Sequence, residues 1–481
     1  MPGDHTFLGA AGTRKPTYPF ERKRPVELTL IVVLVIVLAL FFDFTNGFHD
    51  TANAMATPIA TGALKPKTAV LLAAILNLVG AFLSTEVAKT ISGGLINEGE
   101  GGVLISPEMI FAGLIGAIVW NLVTWLYGLP SSSSHALFGG LIGAAIVGAG
   151  INAINGGVFL SKILIPMVAA PLTAGLVAFT ATKIAYAITH RHDGNKDGRG
   201  RFRYGQIASS SLIALAHGTN DAQKTMGVIT LTLVAWTSIS HEELPGWAAV
   251  PEGGGPPFWV IATCALAIAL GTYSGGWRII RTLGAGLTQV KPAQGFAAET
   301  ATAATILASS HLGFALSTTQ VASGSVIGSG LGRRGSSVRW RTVGRIATGW
   351  LFTLPAAGAV GAIAALVAHL GTIGVIIDAV VGLAFILFIF WRSARNRVDH
   401  SNAIVPDVAE SGYAVRINKR KVRPVPTKTG TVPPLTPIAQ SAVLSDKAAR
   451  EAERRARAER EAAEKAARKA AKQQRKHGGA S

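Results

Sequence analysis

The chain has 481 residues with 45 Lys and Arg against 26 Asp and Glu, a net charge of +19, yet only 15% of its residues are charged. Soluble globular proteins carry about 25%; with 49% hydrophobic residues, 55 Gly and a mean hydropathy of +0.39, too little charge remains to cover a soluble surface of this size. The single cysteine, Cys264, excludes an internal disulfide framework and any multi-cysteine metal site.

The charge sits at the ends. Residues 1–25 carry a net +3 and residues 392–481 a net +12, which leaves +4 for the long middle. That middle is a succession of apolar runs, opening with VELTLIVVLVIVLALFF at 26–42. A membrane helix needs about 20 mainly apolar residues, because the hydrocarbon core is about 30 Å thick and offers no partner to a bare backbone group. The first run is too long for a cleaved signal and has no small-residue cleavage site before the next motif. Residues 1–25 therefore read as a basic cytoplasmic tail.

Cytoplasmic loops are rich in Lys and Arg. Basic clusters fall at Lys65 and Lys67, between Lys183 and Arg203, at Arg278, Arg281 and Lys291, and between Arg333 and Arg345. Acidic loops hold Glu98, Glu100 and Glu108, and then Glu242, Glu243 and Glu252. Basic loops inside and acidic loops outside predict about twelve crossings, at 26–44, 46–62, 68–88, 109–127, 131–150, 158–182, 206–238, 258–274, 298–312, 317–331, 343–368 and 372–391. Both termini then lie in the cytoplasm. Several segments are short or interrupted by Gly, so ten crossings with re-entrant hairpins is the other count. The predicted organisation is an all-α integral membrane protein. Its parts are a tail at 1–25, a first transmembrane repeat at 26–182, a basic loop at 183–205, a second repeat at 206–391, a basic Pro-rich linker at 392–444 and a charged Ala-rich helical tail at 445–481.

Two stretches recur. TNGFHDTANAMAT (45–57) resembles AHGTNDAQKTMGV (216–228), with Gly47, Asp50 and Met55 matching Gly218, Asp221 and Met226. GLPSSSSHALFGGLIG (128–143) resembles GFALSTTQVASGSVIG (313–328), with Ser132, Ser133 and Ser134 matching Ser317, Thr318 and Thr319. In the predicted topology the copies run in opposite directions, so the repeats are inverted. Short, Gly-interrupted segments at matching places in inverted repeats point to a transporter's midplane site. The GxxxG spacings Gly139/Gly143 and Gly324/Gly328 predict close helix packing.

Asp50 and Asp221 lie inside apolar segments. A carboxylate there costs several kcal/mol, so it faces a cavity and a cation, or it pairs with a buried base. Lys224, three residues after Asp221, is such a base at helical spacing. With Asn53 and Asn220 as neutral oxygen donors, the two motifs read as cation or proton sites. Each hydroxyl run follows a break and opens a Gly-rich helix, where side-chain hydroxyls and free N–H groups suit an anion. Plain N-capping is the other reading for each. Glu299, in GFAAETATA, is a third intramembrane acid able to take a proton or a cation. His135, His217 and His311 read as structural histidines. No nucleophile–base pair or metal cluster with recognisable spacing appears, so neither catalysis nor a resident metal or other cofactor is expected.

At these residues the chain resembles the inorganic phosphate transporter (PiT) family. The carriers are GFHDTANAMAT, HGTNDAQKTMG, GLPSSSSHALFGG, GFAAETATA and FALSTTQVASGSVIG, and the likeness covers about 26–391. The resemblance implies about twelve spans in inverted repeats and secondary uptake of inorganic phosphate with H⁺ or Na⁺ across the bacterial plasma membrane. Some bacterial members are thought to carry neutral metal–phosphate complexes. It further implies that Ser132–Ser134 and Ser317–Thr319 contact phosphate, and that Asp50, Asn53, Asn220, Asp221 and Glu299 organise the ions. His49, Gln320 and Asn77 depart from the family's motifs. The departures tilt the expectation away from Na⁺ and towards H⁺ or metal–phosphate coupling.

The partners this implies are inorganic phosphate and membrane lipid, with a homodimer left open. Another oxyanion such as sulfate, or an anion channel, are the alternative functions. No specific nucleic-acid binding is expected, since the basic tail (445–481) reads as a solvated helix of Ala, Glu, Lys and Arg.

Overall fold

The computed structural model describes residues 25–94, 105–189, 200–312, 314, 316–396, 398–400 and 403. The expected N-terminal tail, all but a few residues of the linker, and the Ala-rich tail lie outside them. By internal contacts the chain divides into Met1–Ile417 and Asn418–Ser481, and every described residue belongs to the first unit.

The described residues are mainly helical, with an isolated antiparallel bridge between Thr288 and Val338. The first half runs α1 (Pro25–Ala60), α2 (Pro66–Gly80), α3 (Glu86–Gly94), α4 (Pro107–Leu126) and α5 (Ser133–Ala149). It closes with α6 (Gly156–Val158), which passes through a wide π-type turn at Phe159–Leu164 into α7 (Ile165–Ile188). The second half runs α8 (Arg201–Ser240), α9 (Phe258–Ser274), α10 (Trp277–Ala285), α11 (Pro292–His311), α12 (Thr318–Gly332) and α13 (Trp340–Ala368). One more helix, α14 (Thr372–Arg395), follows. Proline opens α2, α4 and α11, where its missing N–H costs nothing. His241, in the left-handed region at φ 58°, ends α8.

Five described helices are long and apolar enough to cross a bilayer, or six when α9 and α10 count as one span bent by 67°. Their outer faces are apolar and uncovered: Leu172 and Leu176 on α7 are about two-thirds exposed, as are Val380 and Val381 on α14. Such faces suit lipid, which leaves only a helix's own backbone bonds to satisfy. α8 has 40 residues but falls outside this apolar set, because its middle carries Asp221, Lys224 and their polar neighbours.

One expected boundary is corrected. Crossings were predicted separately at 26–44 and 46–62, whereas α1 is one unbroken helix of 36 residues. At 1.5 Å per residue it is about 54 Å long. The polar stretch TNGFHDTANA looked like a break in the hydropathy, but a helix absorbs it. Asn46, Asp50, Asn53, Thr57 and Thr61 recur every three or four residues and share one face. Gly47 marks a helix crossing instead of a turn. The join removes one of the crossings on which the twelve-span count rested.

The two halves use the same contacts. α1 crosses α9 so closely that a Cβ on Gly47 would lie 2.3 Å from the Ile268 carbonyl oxygen, and one on Gly271 2.0 Å from that of Phe44. α8 crosses α2 in the same manner, with Gly218 against Asn77 and Gly80 against Leu215. α5 lies on α13 with Gly143 against Gly358, and α12 lies on α7 with Gly328 against Gly175, each hypothetical Cβ 2.0 Å from a carbonyl oxygen. The GxxxG glycines therefore do set close packing. Each half gives its hairpin helix to the other half's long helix.

Candidate functional site

Four helix segments meet at the centre: the middle of α1, the middle of α8, and the starts of α5 and α12. The two starts are built alike. Ser132 (φ −90°, ψ 107°) caps α5 by accepting from the His135 amide at 3.1 Å, and Ser317 (φ −82°, ψ 106°) caps α12 by accepting from the Gln320 amide at 3.3 Å. These two hydroxyl oxygens accept the cap bonds. The residues that follow them, Ser133, Ser134, Thr318 and Thr319, turn towards the carboxylates. Their backbone amides stand in the first helical turn, where no intrahelical acceptor exists.

Asp50 and Asp221 are both buried, at 1% and 0% exposure. The Asp50 carboxylate accepts from Thr319 Oγ1 at 3.0 Å on Oδ1, and from Ser133 Oγ at 3.0 Å and Thr318 Oγ1 at 3.3 Å on Oδ2. His49 Nδ1 lies 2.7 Å from Asp50 Oδ1. Thr318 Oγ1 is also 3.0 Å from Asp221 Oδ2, so one hydroxyl stands between the two acids. Asp221 Oδ1 is held by the Lys224 ammonium, which also donates to Ser134 Oγ at 2.6 Å and to the Leu316 carbonyl at 3.0 Å. Asn53 donates to Thr319 Oγ1 at 3.1 Å and, more distantly, to Thr318 Oγ1 at 3.4 Å.

Seven of the predicted residues thus come together: Asp50, Asn53, Ser133, Ser134, Asp221, Thr318 and Thr319. Ser132 and Ser317 serve as caps at the edge of the site. Asn220 faces away, donating to Ser310 Oγ at 2.9 Å and, more distantly, to the Phe314 carbonyl at 3.4 Å. Glu299 forms a second buried cluster. It accepts from Thr57 Oγ1 at 2.7 Å and Gln206 Nε2 at 3.0 Å on one oxygen, and from Ser209 Oγ at 2.5 Å on the other. Thr57 is seven residues along α1 from Asp50, about 10 Å away.

Sequence reasoning gave too little weight to three residues. Lys224, 1% exposed, was paired with Asp221 by spacing alone, yet it also reaches Ser134 and the Leu316 carbonyl at the two hairpin starts. His217 was read as structural, yet its Nε2 lies 2.9 Å from Asp221 Oδ2 and 3.9 Å from Asp50 Oδ2. With His217, the two acids make the one cluster among the described residues whose ligand atoms all fall within 4.8 Å of one another. No local spacing reveals it, because 167 positions separate Asp50 from His217. His49, read only as a departure from the motif, lies against Asp50. The alignment of Asp50 with Asp221 also lays Lys224 on Asn53, and each reaches the facing hairpin tip.

Two hydroxyl-bearing helix starts thus converge on a pair of buried carboxylates. Residues 46–361, which include every residue of this site, match the phosphate transporter family. This chain belongs to that family. A probable low-affinity inorganic phosphate transporter of Mycobacterium leprae is 54% identical over 374 residues, covering 77% of this chain and 87% of that protein. One of Bacillus subtilis is 40% identical over 338 residues, 69% of this chain and 96% of that protein. Among solved structures, a sodium-dependent phosphate transporter aligns over 71% of this chain and all of its own, with a TM-score of 0.62. At 24% identity that likeness speaks for the fold. It is a family of membrane proteins, and the apolar outer faces of this member agree.

Proposed function

We propose that the protein takes up inorganic phosphate across the plasma membrane by symport with H⁺ or Na⁺, or as a metal–phosphate complex, by alternating access around this central site. The observation that carries the reading is the contact of both hairpin starts with Asp50, the α12 start reaching Asp221 directly and the α5 start reaching it through Lys224. The duplicated helix crossings support two inverted repeats rocking against each other.

Phosphate oxygens take donors from Ser133, Ser134, Thr318 and Thr319, from the first-turn amides of α5 and α12, and from Lys224. The hydroxyls Ser133, Thr318 and Thr319 donate to Asp50 or Asp221. They become available to phosphate when a cation or proton takes their place on the acids. The same cation offsets the repulsion between a phosphate dianion and two carboxylates, which is severe at low dielectric. Coupling follows from this exchange. Glu299, with Thr57, Gln206 and Ser209 around it, is a second position for a coupling ion.

Uptake of radiolabelled phosphate by a strain lacking its own phosphate transporters tests the reading. Asp50→Asn should abolish uptake at equal surface expression, and excess unlabelled phosphate, not sulfate, should compete with the wild type. Full competition by sulfate would make another oxyanion the substrate. The two kinds of serine should also separate. Ser132→Ala loses a cap, about 1 kcal/mol of stability, and should keep its KM. Ser133→Ala removes a donor to a charged group, a loss of about 1.5–3 kcal/mol, and should raise KM about tenfold to a hundredfold. Equal KM values for the two variants would argue against Ser133 as a ligand.

A further inference from the structure

We infer that the groove between the end of α4 and the start of α13 binds one phospholipid with an anionic headgroup, its phosphate held by Arg341 and Arg345. The groove lies apart from the central cluster, and the inference does not depend on what the protein transports.

The first argument is the shape of the groove. It has a volume of about 540 Å³, with Trp120, Tyr127 and Leu129 on one side and Arg341, Arg345 and Phe352 on the other. No acidic residue lines it. Eleven residues of α13 separate Arg341 from Phe352, about 16 Å of helix. That is roughly half of the ~30 Å hydrocarbon core, the depth of one leaflet. Trp120 Nε1 donates to Thr353 Oγ1 at 3.0 Å, which fixes the indole beside Phe352 at the deep, aromatic end. The shallow end carries both guanidiniums and the exposed Tyr127 ring. It faces the side that the basic loops predict to be cytoplasmic, where basic pockets between membrane helices take anionic headgroups.

The second argument is the state of the two cations. Arg341 and Arg345 make no hydrogen bond, ion pair or ring contact with any described residue. Other arginines at this end are engaged. Arg278 donates to the Leu126 and Asn396 carbonyls, Arg333 donates to the Gln289 carbonyl, and Arg395 lies over the Trp391 ring. A spacing of four puts Arg341 and Arg345 on one helix face, where like charges repel. A phosphate between them removes that repulsion, and guanidinium groups suit its geometry. Both stand near the positive end of the α13 dipole.

The third argument is a contrast between the repeats. Gly358 of α13 receives Gly143, and Gly175 of α7 receives its match, Gly328. Thirteen residues before those two positions stand Arg345 and Lys162, and four residues earlier again stand Arg341 and Val158. Leu129 of the groove matches Phe314. Lys162 lies 3.8 Å from the centre of the Phe314 ring, so that cation has its partner within the chain. The first repeat offers Leu129 instead of a ring and adds a second cation in place of Val158. Two unengaged guanidiniums are left to an outside anion. The groove also touches the entry to the hairpin: Thr124 lines it, and Thr124 Oγ1 lies 2.7 Å from Ser131 Oγ, next to the α5 cap.

The test uses the purified full-length protein, delipidated in neutral detergent and titrated with phosphatidylglycerol or with phosphatidylcholine of the same acyl chains. Native mass spectrometry counts the bound lipid. One phosphatidylglycerol per chain should bind about tenfold more tightly than phosphatidylcholine, as two basic contacts at a membrane surface imply. Arg341→Gln with Arg345→Gln should abolish the preference. Both side chains are exposed, so the double variant should fold. Arg281→Gln with Arg334→Gln removes the same charge from other exposed sites on the same side and should keep the preference. Equal affinity for the two lipids, a preference that survives Arg341→Gln with Arg345→Gln, or one lost equally in the control variant would each overturn the inference. Displacement of phosphatidylglycerol by inorganic phosphate at constant ionic strength would overturn it by making the free anion the ligand. A dimer without lipid preference would overturn it by placing a second copy in the groove.

Discussion

Lys224→Met should destabilise the protein by about 3–5 kcal/mol and abolish phosphate uptake. The Lys224 ammonium and the Asp221 carboxylate are both fully buried and in direct contact. Removing one partner of such a pair leaves an uncompensated charge in a low-dielectric interior, which costs far more than the pair itself contributes. Neutralising both removes that penalty. Asp221→Asn combined with Lys224→Met should therefore melt close to the wild type and still fail to transport, because the ammonium donor to Ser134 and the carboxylate charge beside Thr318 are gone. Thermal unfolding of the purified variants, set beside uptake in cells, separates the two effects. A double variant that melts no higher than Lys224→Met would mean that the pair is not a thermodynamic unit.

That pair also shows where sequence reading reaches its limit. The motifs around Asp50 and Asp221 and the hydroxyl runs were legible because each is local: a carboxylate in an apolar run, or serines after a break. Lys224 was legible as a partner of Asp221 through its spacing of three. Its reach to Ser134 and the Leu316 carbonyl was not, since those contacts depend on how α8, α5 and α12 meet. His217 stands four residues before Asp221, a helical spacing that was there to be read, but its other partners Asn77 and Asp50 lie on other helices. The merging of 26–44 and 46–62 into α1 was hidden because average hydropathy registers a polar stretch but not the helix face it occupies. Asn220 looked equivalent to Asn53 by residue type, yet the repeat aligns it with His49.

Gly143→Ala and Gly328→Ala should each disrupt the crossings that position the hairpin helices. The added methyl carbon would stand 2.0 Å from the carbonyl oxygen of Gly358 or Gly175, respectively, well inside van der Waals contact. Backbone cannot swing aside as a flexible side chain does, so α5 must lift from α13, or α12 from α7. Overpacking of this kind costs about 1–3 kcal/mol, and it displaces the very helices whose starts hold Ser133 and Thr318. Loss of uptake should therefore exceed the loss of folded protein. Gly344→Ala is the control: nothing lies within 4 Å of its added carbon, and the better helix propensity of alanine should make it neutral or stabilising by up to about 1 kcal/mol. Melting temperatures that fall equally for Gly344→Ala and Gly143→Ala would remove close approach as the cause.

The central claim is that the paired carboxylates and the two hairpin starts form one cation-dependent phosphate site. It is met most directly by radiolabelled phosphate uptake into proteoliposomes containing the purified protein, with an inward gradient of H⁺, Na⁺ or divalent metal imposed in turn. The account predicts saturable accumulation above equilibrium under at least one of these gradients, absent from Asp50→Asn protein. A phosphate flux that ignores every imposed gradient, or that persists unchanged in Asp50→Asn, would contradict it.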